Sequence, residues 1–188
     1  MRCLRAWSVS AILLAPSLAL AQGTGAPATP PPPPFTLTSA SFEDGGVIPD
    51  KYTQANPNCC VSPALSWVNA PAGTVSFTLL MHDPDNAPQK KVQDTLHWMA
   101  FNIPGSTTSL PENVPPQPTL PDGTIQVKGA SVGYRGPGAR GIYHHYTFEL
   151  FALDTKLTLG PDATREQVTA AIDGHILGKA VVEGRFHR

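Results

Sequence analysis

Charged side chains are scarce in this chain: 14% of its 188 residues are Asp, Glu, Lys or Arg, and they balance to a net charge of -1. No run of lysines or arginines forms a basic patch, which argues against nucleic acid and anionic membrane surfaces as partners. Cysteine is sparse too, with three in all. Cys3 lies in the apolar start of the chain, and Cys59 and Cys60 are adjacent. Neighbouring Cα atoms sit about 3.8 Å apart, below the usual disulfide span, so a bond between them would be strained and no structural staple is expected. A bridge between two copies, a labile vicinal bond and two free thiols stay open. Regular alternation of strands with helices is also missing, which excludes a doubly wound parallel sheet.

Residues 1–21 combine Arg2 and Arg5, a mostly apolar stretch interrupted by Pro16, and Ala19-Leu20-Ala21, which fits the small-x-small rule for cleavage. They read as a secretory signal peptide cut before Gln22. The uncharged run is short for a bilayer, so no transmembrane segment is expected in the mature chain, which would be periplasmic or secreted. Without Arg2 and Arg5, 11 basic residues face 14 acidic ones, a net charge of -3. Residues 22–34 end in the run Pro30 to Pro34 and read as a disordered, extended linker. Residues 35–188 then form one domain.

What remains is strand-rich. Short alternating or apolar segments at 35–39, 65–68, 75–81, 95–103 and 181–186 are separated by Pro and Gly turns. In 75–81, Val75, Phe77, Leu79 and Met81 share one parity and are expected inside; in 95–103, Leu96, Trp98, Ala100 and Asn102 share another. Residues 145–153 are apolar on both parities, as in a central strand covered on both faces. A proline-rich loop at 104–123 is long enough to be functional or covering. One helix is clear: Thr164 and Gln167 fit a capping box, and Val168, Ala171 and Ile172 supply the stripe before Gly174. The expected fold is mostly β, a sandwich with one or two peripheral helices.

The stretch around Asp83-Pro84-Asp85-Asn86-Ala87-Pro88 ends the strand at 75–81, because proline cannot donate to a ladder. If the chain stays extended to Asp85, the carboxylates of Asp83 and Asp85 lie about 7 Å apart on one side and mark a site. The competing expectation is that they cap a turn. His97 and Asp94 belong to the next strand. The glycine-rich segment 133–141 leads into His144-His145-Tyr146 and can aim backbone N–H groups at an anion. Together these groups offer acid acceptors on one side and N–H donors on the other, which suits a phosphate ester or a zwitterion.

The motifs Ser62-Pro63-Ala64-Leu65-Ser66-Trp67, Asp83-Pro84-Asp85, His97-Trp98, Gly133-Tyr134-Arg135-Gly136-Pro137, His144-His145-Tyr146 and Gly174-His175, in this order from about Phe35 onward, resemble the phosphatidylethanolamine-binding proteins, in their bacterial Raf-kinase-inhibitor-like branch. The resemblance implies a Greek-key β-sandwich, no cofactor, and a small anion pocket built from Asp83, Pro84, Asp85, His97, Gly136, Pro137, His144 and Tyr146. Its acids would orient imidazoles or meet an ammonium group, and its N–H groups and tyrosine hydroxyl would bind phosphate or carboxylate oxygens. The implied partner is a small anionic ligand such as a phospholipid head group, and the protein would not be an enzyme. Members are also associated with inhibiting kinases or proteases, so a protein partner outside the cytoplasm is the alternative. The chain departs from the family pattern at His82, Asn86 and Gly138-Ala139-Arg140, all of which bear on the pocket's width.

Two rival chemistries can be written. Gly129-Ala130-Ser131-Val132-Gly133 matches the serine-hydrolase elbow, with Asp154 and His175 following in order, yet Gly136, Pro137 and Gly138 break the helix that the elbow requires. His82, Asp83, Asp85 and His97 are ordinary metal-ligand types, but strand geometry sends His82 to the face opposite Asp83.

Overall fold

In the computed structural model of the chain, residues 31–87 and 92–188 are described. The expected signal peptide, the expected linker up to residue 30 and Pro88 lie outside them. Residues 33–188 form one compact unit built on two sheets. Its strands are β1 (Thr36–Ser39), β2 (Gly46–Val47), β3 (Leu65–Val68), β4 (Ser76–Asp83), β5 (Thr95–Pro104), β6 (Ser109–Leu110), β7 (Ile125–Gln126), β8 (His144–Leu153) and β9 (Ile176–Phe186). The smaller sheet has the order β1-β3-β6 and the larger β2-β9-β8-β4-β5-β7. All pairings are antiparallel except β2 with β9. The fold is therefore mostly β, as the strand pattern predicts.

The main core fills the space between the sheets. Leu37, Leu65 and Trp67 of the small sheet meet Phe77, Leu79, Met81, Tyr146, Phe148 and Leu150 of the large one. Phe77 takes the edge of Trp67 at a centroid distance of 5.3 Å. A second core lies behind the large sheet, where Leu80, Met99 and Phe101 pack under α1 (Arg165–Ile172) through Val168 and Ile172. The predicted capping box closes the start of α1: the Thr164 N–H donates to Gln167 Oε1 at 2.9 Å, and the Gln167 N–H to Thr164 Oγ1 at 3.3 Å.

Two covered faces explain where the parity reading fails. β4, not β8, is the strand buried on both sides: Ser76 and Thr78 are as buried as Phe77, while Val75, just outside the strand, is 46% exposed. Ser76 escapes an unpaired hydroxyl by donating to the Thr155 carbonyl. β8 alternates instead, with Tyr146, Phe148, Leu150 and Ala152 inside and Thr147, Glu149 and Phe151 half-buried. β9 begins five residues earlier than expected because Gly178, with Phe35 and Pro71 against it, interrupts the apolar pattern.

β5 carries two bulges. Phe77 pairs with Ile103 and Leu79 with Ala100, leaving an extra residue on β5. Asn102 sits there at φ 58, a left-handed conformation that Asn tolerates, and its amide clasps the backbone N–H and C=O of Leu157 at 2.8 and 2.9 Å. The second bulge lies where Met81 pairs with Trp98 and His82 with Leu96, so that His97 has no partner on β4. Leu96 and Trp98, expected on one face, consequently pack in different cores.

Candidate functional site

β4 and β8 part company at one end. Their ladder stops at His82 with Thr147, while β4 runs on to Asp83 and β8 starts at His144. Pro84 has no N–H to continue the pairing. A cavity of about 110 Å³ occupies the gap, lined by Asp83, His97, Arg135, His144 and Tyr146 together with Gln54, Asn86, Thr95, Gly138 and Ala139.

The chain does not stay extended to Asp85. It turns at Pro84, and the Asp85 N–H donates to Asp83 Oδ1 at 3.0 Å, so the turn-capping expectation holds. Both acids also grip imidazoles. Asp83 Oδ2 lies 2.8 Å from His144 Nδ1, and Asp85 Oδ2 accepts from the His145 N–H at 2.7 Å and lies 2.8 Å from its Nδ1. Asp83 is 2% exposed and faces the cavity, whereas Asp85 sits outside its lining. The His145 N–H holds the Asp85 carboxyl below the usual carboxylate range.

The bulge leaves His97 lining the cavity, and the glycine-rich loop runs beside it. The Arg135 N–H donates to the His97 carbonyl at 2.9 Å, and His97 Nδ1 donates to the Arg135 carbonyl at 2.8 Å. With Nδ1 so committed, the neutral ring keeps its lone pair on Nε2. Burial pulls the His97 pKa below its ordinary value, with the Arg135 carbonyl opposing. The ring stands edge-on to Tyr146 at a centroid distance of 5.0 Å.

Tyr146 is fully buried. Its hydroxyl oxygen accepts from the N–H groups of Gly138 and Ala139, each at 3.1 Å, leaving its own hydrogen to donate. Burial raises its pKa and the nearby Asp83 adds to the rise, so the phenol stays protonated at neutral pH. The N–H groups of Gly138 and Ala139 are thereby spent on the tyrosine.

Gly136 and Pro137 do not line the cavity but hold Gln54, which does. Their carbonyls accept from Gln54 Nε2 and the Gln54 N–H, each at 2.8 Å. A Cβ on Gly136 would stand 2.6 Å from the Tyr52 carbonyl oxygen, so the loop's close approach requires glycine there. Pro84 likewise shapes the turn without lining the cavity. Among the predicted site residues, the cavity thus gathers Asp83, His97, His144 and Tyr146. It adds Gln54, Asn86, Thr95, Arg135, Gly138 and Ala139. Gln54 could not be found in advance, because a polar loop residue 82 positions from Gly136 carries no local signal.

Neither rival chemistry assembles. Ser131 stands on an exposed loop near the His97 end of the sheet, with no helix after it. Asp154 and His175 pair at 2.8 Å beyond the opposite end of β8, a strand that spans about 30 Å at ~3.3 Å per residue. His82 turns to the rear face, where Nδ1 lies 2.5 Å from Asp94 Oδ2 and Asp94 also accepts from Arg165. Burial works to raise the Asp94 pKa, but Arg165 and His82 reverse this and hold it below the usual range. Among the described residues, no three His, Cys, Asp or Glu side chains stand where they could share an ion.

The model of the family described as phosphatidylethanolamine-binding protein matches residues 38–187. A UPF0098 protein of Methanothermobacter thermautotrophicus is 44% identical over 154 residues, covering 81% of this chain and 98% of that one. Another from Aquifex aeolicus is 38% identical, covering 80% and 86%. Among solved structures, a phosphatidylethanolamine-binding protein homolog from Chlamydia trachomatis superposes with a TM-score of 0.73 at 29% identity, covering 82% of this chain and 98% of that one. YbcL of E. coli, described as a member of the mammalian family, gives 0.69 at 25% identity with the same coverage. The sheet topology and these matches lead to one conclusion: this chain belongs to the phosphatidylethanolamine-binding protein family.

Proposed function

We propose that the chain is an exported, non-catalytic binding protein whose cavity takes a small anionic group, the phosphate or carboxylate of a head group. One observation carries this reading: His97, His144, Tyr146 and Arg135, four potential donors to oxygen, converge on one small cavity. Each imidazole is fixed through Nδ1, one by a carbonyl and one by a buried carboxylate, so that Nε2 remains for a guest. Asp83 does two things here. It keeps His144 in place, and it gives a cationic partner group, such as the ammonium of a zwitterionic guest, a carboxylate to meet.

The non-catalytic part of the reading is supported by the same inventory. The groups converging on the cavity bind and orient, and none is an activated nucleophile beside a base. Calorimetric titration with inorganic phosphate, phosphoethanolamine and acetate tests the reading. Phosphate and phosphoethanolamine should bind with measurable heat and remain chemically unchanged; a folded protein giving no heat with any of the three would refute it.

Export rests on residues 1–21, with their basic start, apolar middle and Ala19-Leu20-Ala21. Intact-mass measurement of the chain produced with these residues in a bacterial host should find a product beginning at Gln22 outside the cytoplasm. Full-length chain retained in the cytoplasm would contradict this.

A further inference from the structure

Cys59 and Cys60 take no part in the cavity, yet they stand on the segment that supplies Gln54 to it. Cys59 is exposed and Cys60 half-buried, and both line a surface groove with Arg135 and Tyr134. Cys60 packs on the fringe of the main core and against the glycine-rich loop, where a Cβ on Gly136 would lie 2.9 Å from its Sγ. Successive turns hold the pair in place: the Asn56 N–H donates to the Thr53 carbonyl at 3.1 Å and the Cys59 N–H to the Asn56 carbonyl at 3.0 Å.

The stabilisation that a disulfide gives shrinks with the length of the loop it closes, and neighbours in sequence close the shortest one. Stability therefore offers this pair little, and reactivity is the role that remains. Thiolates are favoured in partly exposed, electropositive surroundings. The groove supplies both conditions, since among the described residues Arg135 has no carboxylate partner while Lys51, Arg165 and Lys179 each do. The two sulfurs are not equivalent, however. Exchange needs access to the sulfur under attack and stabilisation of the thiolate that departs. Exposure gives Cys59 the access, whereas the loop at Gly136 stands against Cys60.

We infer that Cys59 and Cys60 form a thiol–disulfide exchange site, at which a small thiol attacks Cys59 and Cys60 departs as the thiolate. In the first step RS⁻ bonds to Cys59 Sγ, the bond between the two cysteines breaks, and its electron pair leaves on Cys60 Sγ. A second RS⁻ attacks the outer sulfur of the mixed disulfide, which releases RSSR and leaves the Cys59 thiolate. The two protein thiolates take up the protons that the two RSH gave. Two RSH are thus oxidised to RSSR while one protein disulfide is reduced to a dithiol, and an excess of RSSR drives the same steps backward. Neither the anion reading nor the export reading enters this argument, so both stand if it fails.

The test uses the full chain carrying Cys3→Ser, so that only the pair can react, equilibrated under native conditions with glutathione or its disulfide. After quenching with N-ethylmaleimide, intact mass should show no label on the oxidised protein and two on the reduced one, with the urea midpoint little changed between them. With glutathione disulfide, Cys60→Ser should form a mixed disulfide at Cys59 about tenfold faster than Cys59→Ser does at Cys60. If either variant does not fold, fragment-mass mapping of the acid-quenched intermediate in the parent chain should find glutathione on Cys59. Arg135→Gln should slow opening by glutathione about threefold, through loss of positive charge beside the departing thiolate. Two labels on the oxidised protein, or disulfide-linked dimers, would overturn the exchange site. A large fall in the urea midpoint on reduction would make the pair a structural staple instead. Equal rates at the two cysteines, or glutathione found on Cys60, would overturn the assignment of attacked and departing sulfur.

Discussion

His97→Ala should weaken sulfate binding about 30-fold near pH 5.5, the loss of one hydrogen bond between charged groups. Sulfate keeps the same charge across the range of interest, so any pH dependence belongs to the protein. Burial holds the His97 pKa below its ordinary value in the free protein, and an anion beside Nε2 favours the protonated ring. Between those two values binding takes up a proton, so wild-type affinity should rise as pH falls and level off once the free ring is charged. The alanine variant should lose this slope along with the affinity. Wild-type affinity and an unchanged slope in the variant would remove His97 from the site.

The same group makes a contribution to stability of definite sign. An unfolded chain protonates this histidine at about pH 6.5, while the folded chain resists doing so. As pH falls below about 6.5 the unfolded state therefore binds more protons, and stability declines until the folded value is passed. Above about 6.5 both states are neutral at this position and nothing is lost.

Gln126→Leu should cost about 4 kcal/mol of unfolding free energy in urea, the largest stability effect expected of a single polar side chain here. Gln126 is 1% exposed. Its Oε1 accepts from Trp98 Nε1 at 2.8 Å, and its Nε2 donates to the Pro115 and Gln117 carbonyls at 2.7 and 2.8 Å. One amide thereby fixes a core tryptophan and pins the proline-rich loop against the sheet. Leucine would fill much of the volume and orphan all three partners. A loss below about 1 kcal/mol would mean that those partners find replacements and that Gln126 is not their anchor.

Much of this architecture was readable in the chain, and the parts that were not share a cause. The helix announces itself because its signals are local: Thr164, Gln167, Val168 and Ile172 lie within one short segment. The order of motifs likewise singles out Asp83, His97, His144 and Tyr146, which the fold brings to one cavity. Parity, however, assumes an unbroken ladder. The bulge that leaves His97 unpaired reverses the sides of Leu96 and Trp98, and nothing in Thr95 to Trp98 signals it, since the irregularity is set by pairing with β4. Two-sided burial hid β4's nature for a similar reason: Ser76 and Thr78 look like solvent positions until the second core is seen behind them. Gln54 and Gln126 act through carbonyls supplied by loops, and polar residues in loops are the least informative letters in a sequence.

The end of the sheet beside the cavity is held by a different kind of fastening from the rest. Beyond His82 and Thr147, β4 and β8 are joined by contacts of Asp83 and Asp85 with His144 and His145, and no ladder pair between the two strands lies beyond them at this end. Parting these strand ends thus asks for the rupture of two carboxylate clasps and leaves every rung between the strands intact. Local opening is in this way uncoupled from the integrity of the two-sheet interior: this corner can yield while the frame holds.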